Sequence, residues 1–320
     1  MTSGNAAAKA DVSVVGLYIL DVLGRPVERI PERGNVEFID EIRLTVAGTA
    51  GGTVVDMAKL GLSCRAVGAV GDDEKADFVI MTLEKHGVDC HTMQRLAGVP
   101  TSATILNVRP NGDRPALHQR GASDHFTIPE SQMADVLNAR FVHLGGTGLL
   151  AAMDGQRSVD LLKAAKAQGC VTSFDLIATN DKTIEIVKPL LPYIDYFMPS
   201  IEEAKDLCPG IDDPVDVAQW FIDHGAKTAV LTMGGDGSLI KTQTDTIKLA
   251  PYKIDVVDTT GCGDAYCAGF VKGLSLDLPL EECGHWGAAS ASLVATGLGS
   301  DAGIVDATQT EAAMRAWRAA

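Results

Sequence analysis

Strand and helix patterns alternate regularly from residue 140 onward, and this alternation limits the fold more than any other feature. "FVHLG" (141–145), "CVTSFD" (170–175), "IDYFMP" (194–199) and "TAVLTM" (228–233) read as buried strands. Helical patterns at 156–168, 182–191, 201–207 and 214–224 separate them. Apolar strands joined through helices run parallel, and the helices cover both faces of the sheet. "VSVVG" (12–16) and "CRAVGAV" (64–70) add two strands. "GTAGGTVVDMAKLGL" (48–62) reads as a glycine loop entering a helix, and "KADFVIMTLEKHG" (75–87) as an amphipathic helix closed by Gly87. Residues 238–257 read as β-rich, and 280–296 and 309–319 as helical. Two β-prone stretches fall outside the alternation. One is 17–45, punctuated by Gly24, Pro26, Pro31 and Gly34; the other is 101–120, a hairpin around Asn111-Gly112. Together they predict a small accessory sheet.

Composition removes several function classes. The net charge of −15 argues against nucleic acid as a partner, because phosphate neutralisation needs a basic face. It leaves room for an anionic small ligand, which backbone N–H groups can hold. The seven cysteines are odd in number, irregularly spaced and without a C-x-x-C pair, so zinc and disulfide frameworks are poorly supported and a cytoplasmic, reducing setting fits. The first residues, "MTSGNAAAKADVSVV", lack the apolar core of a signal peptide and read as a short disordered lead into a strand. No apolar run approaches the ~18 residues of a membrane span.

The chemistry concentrates in "DVVDTTGCGDAYCAGFVKGL" (255–274). Gly261 and Gly263 allow a tight turn and close approach to a ligand. A helix follows, and the free N–H groups of its first turn form an anion site. Asp264 sits inside that site. Spacing alone leaves it either a helix cap or a base aimed at a hydroxyl beside a held anion. No P-loop is present, and "GLGSDA" (297–302) matches a dinucleotide pattern only in the wrong context, after a helical run.

"VVDTTGCGDAYCAGF" resembles the C-terminal signature of the PfkB, or ribokinase-like, carbohydrate kinases. Other segments resemble the family in order along nearly the whole chain: "GLYILD" (16–21), "AGGTVVDMAKLG" (50–61), "GAVGDD" (68–73), "PSIEEA" (199–204) and "TMGGDG" (232–237). The resemblance implies one domain over 1–320, a three-layer α/β/α sandwich whose small β-sheet, about 17–45 and 101–120, forms a lid. It implies ATP-dependent phosphorylation of a sugar hydroxymethyl group, as in ribose or fructose. It also implies a homodimer made through the lid.

The roles it implies are specific. Asp264 would take the proton of the sugar hydroxyl, while Gly261, Cys262 and Gly263 hold the transferring phosphoryl with their amides. Cys262 stands where relatives usually carry Ala; a helix N-terminus could lower its thiol pKa and make it oxidation-sensitive, but a small buried residue contributing only its backbone is the favoured reading. Asp21, Gly51, Gly52 and Asp56 would line the sugar pocket. Asp56 replaces the usual Asn and, if ionised, only accepts hydrogen bonds, which disfavours anionic sugars. Thr232, Gly234, Gly235 and Gly237 would carry the nucleotide, with Ser200 where the family has Asn. Glu203 would organise Mg²⁺ through water, and Asp258 would sit beside a monovalent cation such as K⁺. "SFDLIATND" keeps Asp175, but Ile177 and Thr179 replace the family's Asn and Arg, which argues against ketodeoxygluconate as acceptor. His143 and His285 read as ordinary, partly buried side chains. Two alternatives stay open: a nucleoside kinase of the same fold, and a non-catalytic sugar- or nucleotide-binding regulator.

Overall fold

The computed structural model describes residues 9–180 and 182–319, so the expected disordered lead at 1–8 lies outside the described residues. The chain begins with β1 (Ala10–Gly16), β2 (Ile19–Arg25), β3 (Glu41–Ala47), α1 (Gly51–Lys59), β4 (Cys64–Val70) and α2 (Glu74–Lys85). Then come β5 (Gln94–Arg95), β6 (Ala103–Asn107), β7 (Ala116–Gln119), α3 (Glu130–Leu137), β8 (Ala139–Thr147), α4 (Gln156–Ala167) and β9 (Val171–Leu176). The next elements are α5 (Thr183–Val187), β10 (Tyr196–Phe197), α6 (Ile201–Leu207), α7 (Pro214–Asp223), β11 (Thr228–Thr232), β12 (Ser238–Lys241) and β13 (Thr246–Leu249). Helices α8 (Cys262–Ser275), α9 (Leu280–Ala295) and α10 (Ala307–Arg318) complete it.

The main sheet runs β13-β12-β11-β10-β9-β8-β1-β4-β5. From β11 to β5 all pairings are parallel, while β12 and β13 join antiparallel at one edge, an addition the alternation did not foretell. Two apolar layers cover it. Val54, Val79, Phe270, Val294 and Met314 put α1, α2, α8, α9 and α10 on one face. Val136, Leu161, Ala204 and Phe221 put α3, α4, α6 and α7 on the other. Strand β1 supplies both layers, Val12 and Val14 to one and Val15 to the other, because successive side chains of a strand point to opposite faces. The expected three-layer α/β/α arrangement is therefore present. In sequence β1 leads to β4 on one side and later to β8 on the other. A crevice opens outside the carboxyl ends of the strands at such a reversal.

The second sheet has the order β3-β2-β6-β7 and comes from the two stretches expected to form it. Its register decides which side chains face inward. Asp21 pairs with Thr45 and Thr104, and Thr104 with His118. The adjacent rung is Leu44, Val22, Ile105 and Leu117. The pleat sends the two rungs to opposite faces. Asp21, Thr104 and His118 line a cavity, whereas Leu44, Ile105 and Leu117 are exposed.

Some expectations need correction. The helix expected at 182–191 is only α5 followed by a 3₁₀ turn at Leu191–Tyr193, because Pro189 and Pro192 remove donors and disfavour helix before them. The β-rich reading of 238–257 holds only to Leu249. Helix α3 had no expectation at all. His143 is fully buried rather than partly so; its Nδ1 lies 3.0 Å from Ser173 Oγ, and burial lowers its pKa to about 4.

Candidate active site

Two cavities lie at the carboxyl ends of the strands. The larger, about 510 Å³, is bounded by the inner face of the small sheet and by Asp175, Ser200, Glu203, Gly261, Gly263 and Asp264. The second, about 250 Å³, is lined by Thr232, Gly234, Gly235 and Gly237 together with Tyr252, Cys262 and Tyr266. Thr232, Thr259 and Gly263 belong to both, so the cavities meet at the start of α8.

That helix start is built for open N–H groups. Gly261 is the N-cap with φ +76°, and a Cβ there would sit 2.5 Å from Ser300 Cα, so only glycine fits both the dihedral and the space. The Cys262 amide makes a long 3.3 Å bond to Thr259 O. The amides of Gly261, Gly263 and Asp264 have no hydrogen-bond partner among the described residues. Behind them α8 is held by burial of Tyr266, Phe270 and Val271, worth roughly 1.5–3 kcal/mol each, and Tyr266 Oη donates to Ser238 Oγ at 2.9 Å. The terminus is thus a rigid platform.

Asp264 lies in the first turn of α8, past the N-cap, and no side chain caps the helix, so the cap role that spacing left open is not taken. Its carboxylate accepts no hydrogen bond among the described residues. Burial, then the neighbouring carboxylates of Asp21 and Glu203, push its pKa up to about 8, with Arg114 pulling the other way. Asp21 is raised to about 7, mainly by burial, and its buried Oδ1 has no partner among the described residues. Such a pair can accept protons and hydroxyl hydrogen bonds from a ligand between them.

The other predicted residues fall into three groups. Gly51, Gly52 and Asp56 do not line the cavity; they stand behind its wall. A Cβ on Gly52 would come within 2.8 Å of Asp264 Oδ2, so this glycine seats the carboxylate. Asp56 is fully buried with both oxygens unpartnered among the described residues, and burial raises its pKa well above the carboxylate range. Asp56 stands behind the wall and not on the cavity, so the expected penalty against anionic sugars loses its basis. Asp258 accepts from Thr260 N (3.0 Å) and Oγ1 (2.8 Å) on one oxygen and from Gly299 N (2.9 Å) on the other. That is a turn cap, and it lends no support to a potassium ion there.

Ser200 and Glu203 form a capping box on α6: Ser200 Oγ donates to Glu203 Oε2 at 2.8 Å, and Ser200 N to the same oxygen at 3.0 Å. No group of three His, Cys, Asp or Glu that could hold a metal directly exists among the described residues. Glu203 and Asp175 nonetheless face the same cavity, each with its pKa raised, first by burial. Two carboxylates that resist ionising side by side fit a hydrated divalent cation held on phosphates. Burial pushes the Cys262 thiol up to about 12, which favours a small residue that contributes only its backbone over an activated thiolate.

Sequence reasoning missed Thr49, Arg114 and His118. Thr49 lines the cavity with a buried Oγ1 that has no partner among the described residues. Arg114 and His118 lie on one face of β7 and the loop before it, and His118 Nδ1 is 3.1 Å from Thr104 Oγ1. The period of two in this edge strand was the available signal.

A sequence pattern described as pfkB family carbohydrate kinase matches residues 9–307. The chain therefore belongs to the pfkB family and is an ATP-dependent carbohydrate kinase. Among curated relatives, the 5-dehydro-2-deoxygluconokinase of Geobacillus kaustophilus is 26% identical over 299 residues, covering 89% of this chain and 87% of that one. Two solved structures share the fold. Arabidopsis thaliana ribokinase, complexed with ribose and ATP, has TM-score 0.80 and 22% identity and covers 96% of this chain and 99% of its own. A candidate Ribokinase II from E. coli, in complex with ATP and Mg²⁺, has TM-score 0.81 and 19% identity with the same coverage.

Proposed function

We propose that this kinase transfers the γ-phosphoryl group of ATP to a hydroxymethyl group of a sugar, with Asp264 as general base. One observation carries the reading: an unpartnered carboxylate and unpaired amides share one helix start, where two cavities meet. The nucleotide occupies the cavity of Thr232, Gly234, Gly235 and Gly237, and the sugar the cavity beneath the small sheet. Asp21 and Thr49 accept or share hydroxyl hydrogen bonds, while Asp264 takes the proton of the attacking hydroxyl. The amides of Gly261, Cys262 and Gly263 hold the charge on the transferring group. Glu203 and Asp175 would hold a hydrated Mg²⁺ through water, and the ion would supply charge neutralisation on the phosphates. The lining has no Phe, Tyr or Trp among the described residues, which disfavours a nucleoside base there.

An assay across sugars and nucleosides tests the reading. Phosphorylated sugar is the expected product; phosphorylated nucleoside alone, or ligand binding without turnover, overturns it. The pH dependence is a second test. A base must be ionised to act, and Asp264 is raised to about 8. The profile of kcat/KM should rise about tenfold per pH unit up to a midpoint near 8 and then level off. A midpoint in the ordinary carboxylate range would overturn the raised pKa of Asp264, and loss of this rising limb in Asp264→Asn would tie the limb to that residue.

The small sheet also offers a docking face for a second copy. Leu44, Ile105 and Leu117 form an exposed rung, and Ile42, two residues before Leu44 on β3, is exposed as well. An apolar face of this kind is a liability for a monomer. Light scattering should find a dimer, and Ile105→Lys should convert it to monomers. A monomeric wild type would exclude the lid dimer. No helix among the described residues is long and apolar enough to cross a membrane.

A further inference from the structure

Residues 298–301, inside the "GLGSDA" segment that matched a nucleotide pattern in the wrong place, touch the turn before α8, the small sheet and α1. On one side they hold the turn before α8. Gly299 N donates to Asp258 Oδ2 at 2.9 Å, and Ser300 packs so closely on Gly261 that a Cβ there would clash. On the other side they hold the small sheet. Ser300 Oγ donates to Val46 O at 3.0 Å and lies 3.4 Å from Thr45 Oγ1. Arg43 of β3 donates to Leu298 O and, at 2.8 Å, to Asp301 Oδ1. A third contact reaches α1, where Lys59 donates to Asp301 O and lies 3.7 Å from its carboxylate. That helix also carries Gly52, the residue against Asp264.

The ion pair at the centre is partly shielded: Arg43 is 33% exposed and Asp301 16%. It joins chain segments 258 residues apart. Arg43 has two acceptors on the segment, so it fixes an orientation as well as a distance. A surface pair with one contact would do neither.

We propose that Arg43 and Asp301 are positioning residues that tie the small sheet to the 258–263 turn, so that the sheet's seat over the acceptor and the alignment of the phosphoryl-holding amides are set together. The inference rests on the reading that these amides serve the transferring group. Its chemical consequence is the partition of the phosphoryl group. With the sheet seated, the γ-phosphoryl passes to the acceptor hydroxyl; with the tie cut, water reaches it and ATP becomes ADP and phosphate without phosphorylated sugar.

Arg43→Met and Asp301→Asn test this with two readings. The first is turnover. For both variants kcat should fall about tenfold with KM for ATP held, and ADP released per phosphorylated sugar should rise above parity. The second needs no turnover. Amide hydrogen exchange in a peptide spanning 256–264 should quicken by about tenfold, while a peptide from β8 stays at the wild-type rate. Arg43→Lys keeps the charge but loses the fork, and should fall between wild type and Arg43→Met. Wild-type exchange at 256–264 together with a wild-type ADP-to-product ratio in both variants would overturn the tie. If Arg43→Met also loosens β8, its fold is compromised, and Arg43→Lys and Asp301→Asn decide by the same readings. Exchange is read without catalysis, so failure of the tie is distinct from failure of Asp264 as base.

Discussion

Asp264→Asn should lower kcat by roughly 10²–10⁴-fold while leaving ATP binding and the fold in place. Asparagine is nearly isosteric and keeps the first turn of α8, but it cannot take a proton from the attacking hydroxyl. The unpaired amides of Gly261 and Gly263 remain, so the nucleotide still finds its anion site. Stability should move the other way. The folded-state pKa of Asp264 is about 8, raised mainly by burial, whereas an unfolded chain ionises it in the ordinary carboxylate range. Between those values the folded protein holds a proton that the unfolded chain has lost, and the fold is progressively destabilised as pH rises toward 8. Asparagine carries no such cost. The variant should therefore melt no lower than wild type at pH 8.5. Steady-state kinetics and calorimetry on one preparation read both effects. Turnover within a few-fold of wild type would sink the base assignment.

The second large effect comes from adding one methyl group. Gly52→Ala places a Cβ 2.8 Å from Asp264 Oδ2, so the carboxylate has to shift. Gly52 lies within α1, where alanine is the better helix former by roughly 0.8–1 kcal/mol. The fold should therefore be unharmed or slightly steadier. Catalysis should suffer, since a displacement near 1 Å at a reacting group costs about 10²-fold. A kcat loss of that order with an unchanged or higher melting temperature is the expected result. A variant as active as wild type would show that the position of the carboxylate is loosely constrained.

Much of this site was legible in the sequence because its parts are local. Gly261, Gly263 and Asp264 are consecutive or nearly so, and the small and apolar residues after them announce a helix. The glycines at 234–237 likewise declare a turn. Elements whose pattern is weak were lost. Only Val136 of α3 is fully buried, so its apolar period is faint. Contacts between distant segments were also invisible. Nothing in "VVDMAK" tells that Asp56 faces the protein interior, since a helix position gains its neighbours only when α8 packs on it. The pairing of Arg43 with Asp301 and the rung of Thr45, Asp21, Thr104 and His118 depend on a register that no single strand declares.

That rung separates two tasks. The groups that would meet the acceptor from above sit on a thin four-stranded patch, whereas the proton-taking and charge-holding groups belong to a deeply packed helix. On the proposed reading, replacing Thr104 or His118 would alter which alcohol is welcomed, whereas replacing Asp21 would also reach the machinery below, because its carboxylate helps to raise the pKa of Asp264. A lineage of such proteins would then diversify its diet by editing only those parts of its roof that the engine beneath does not feel.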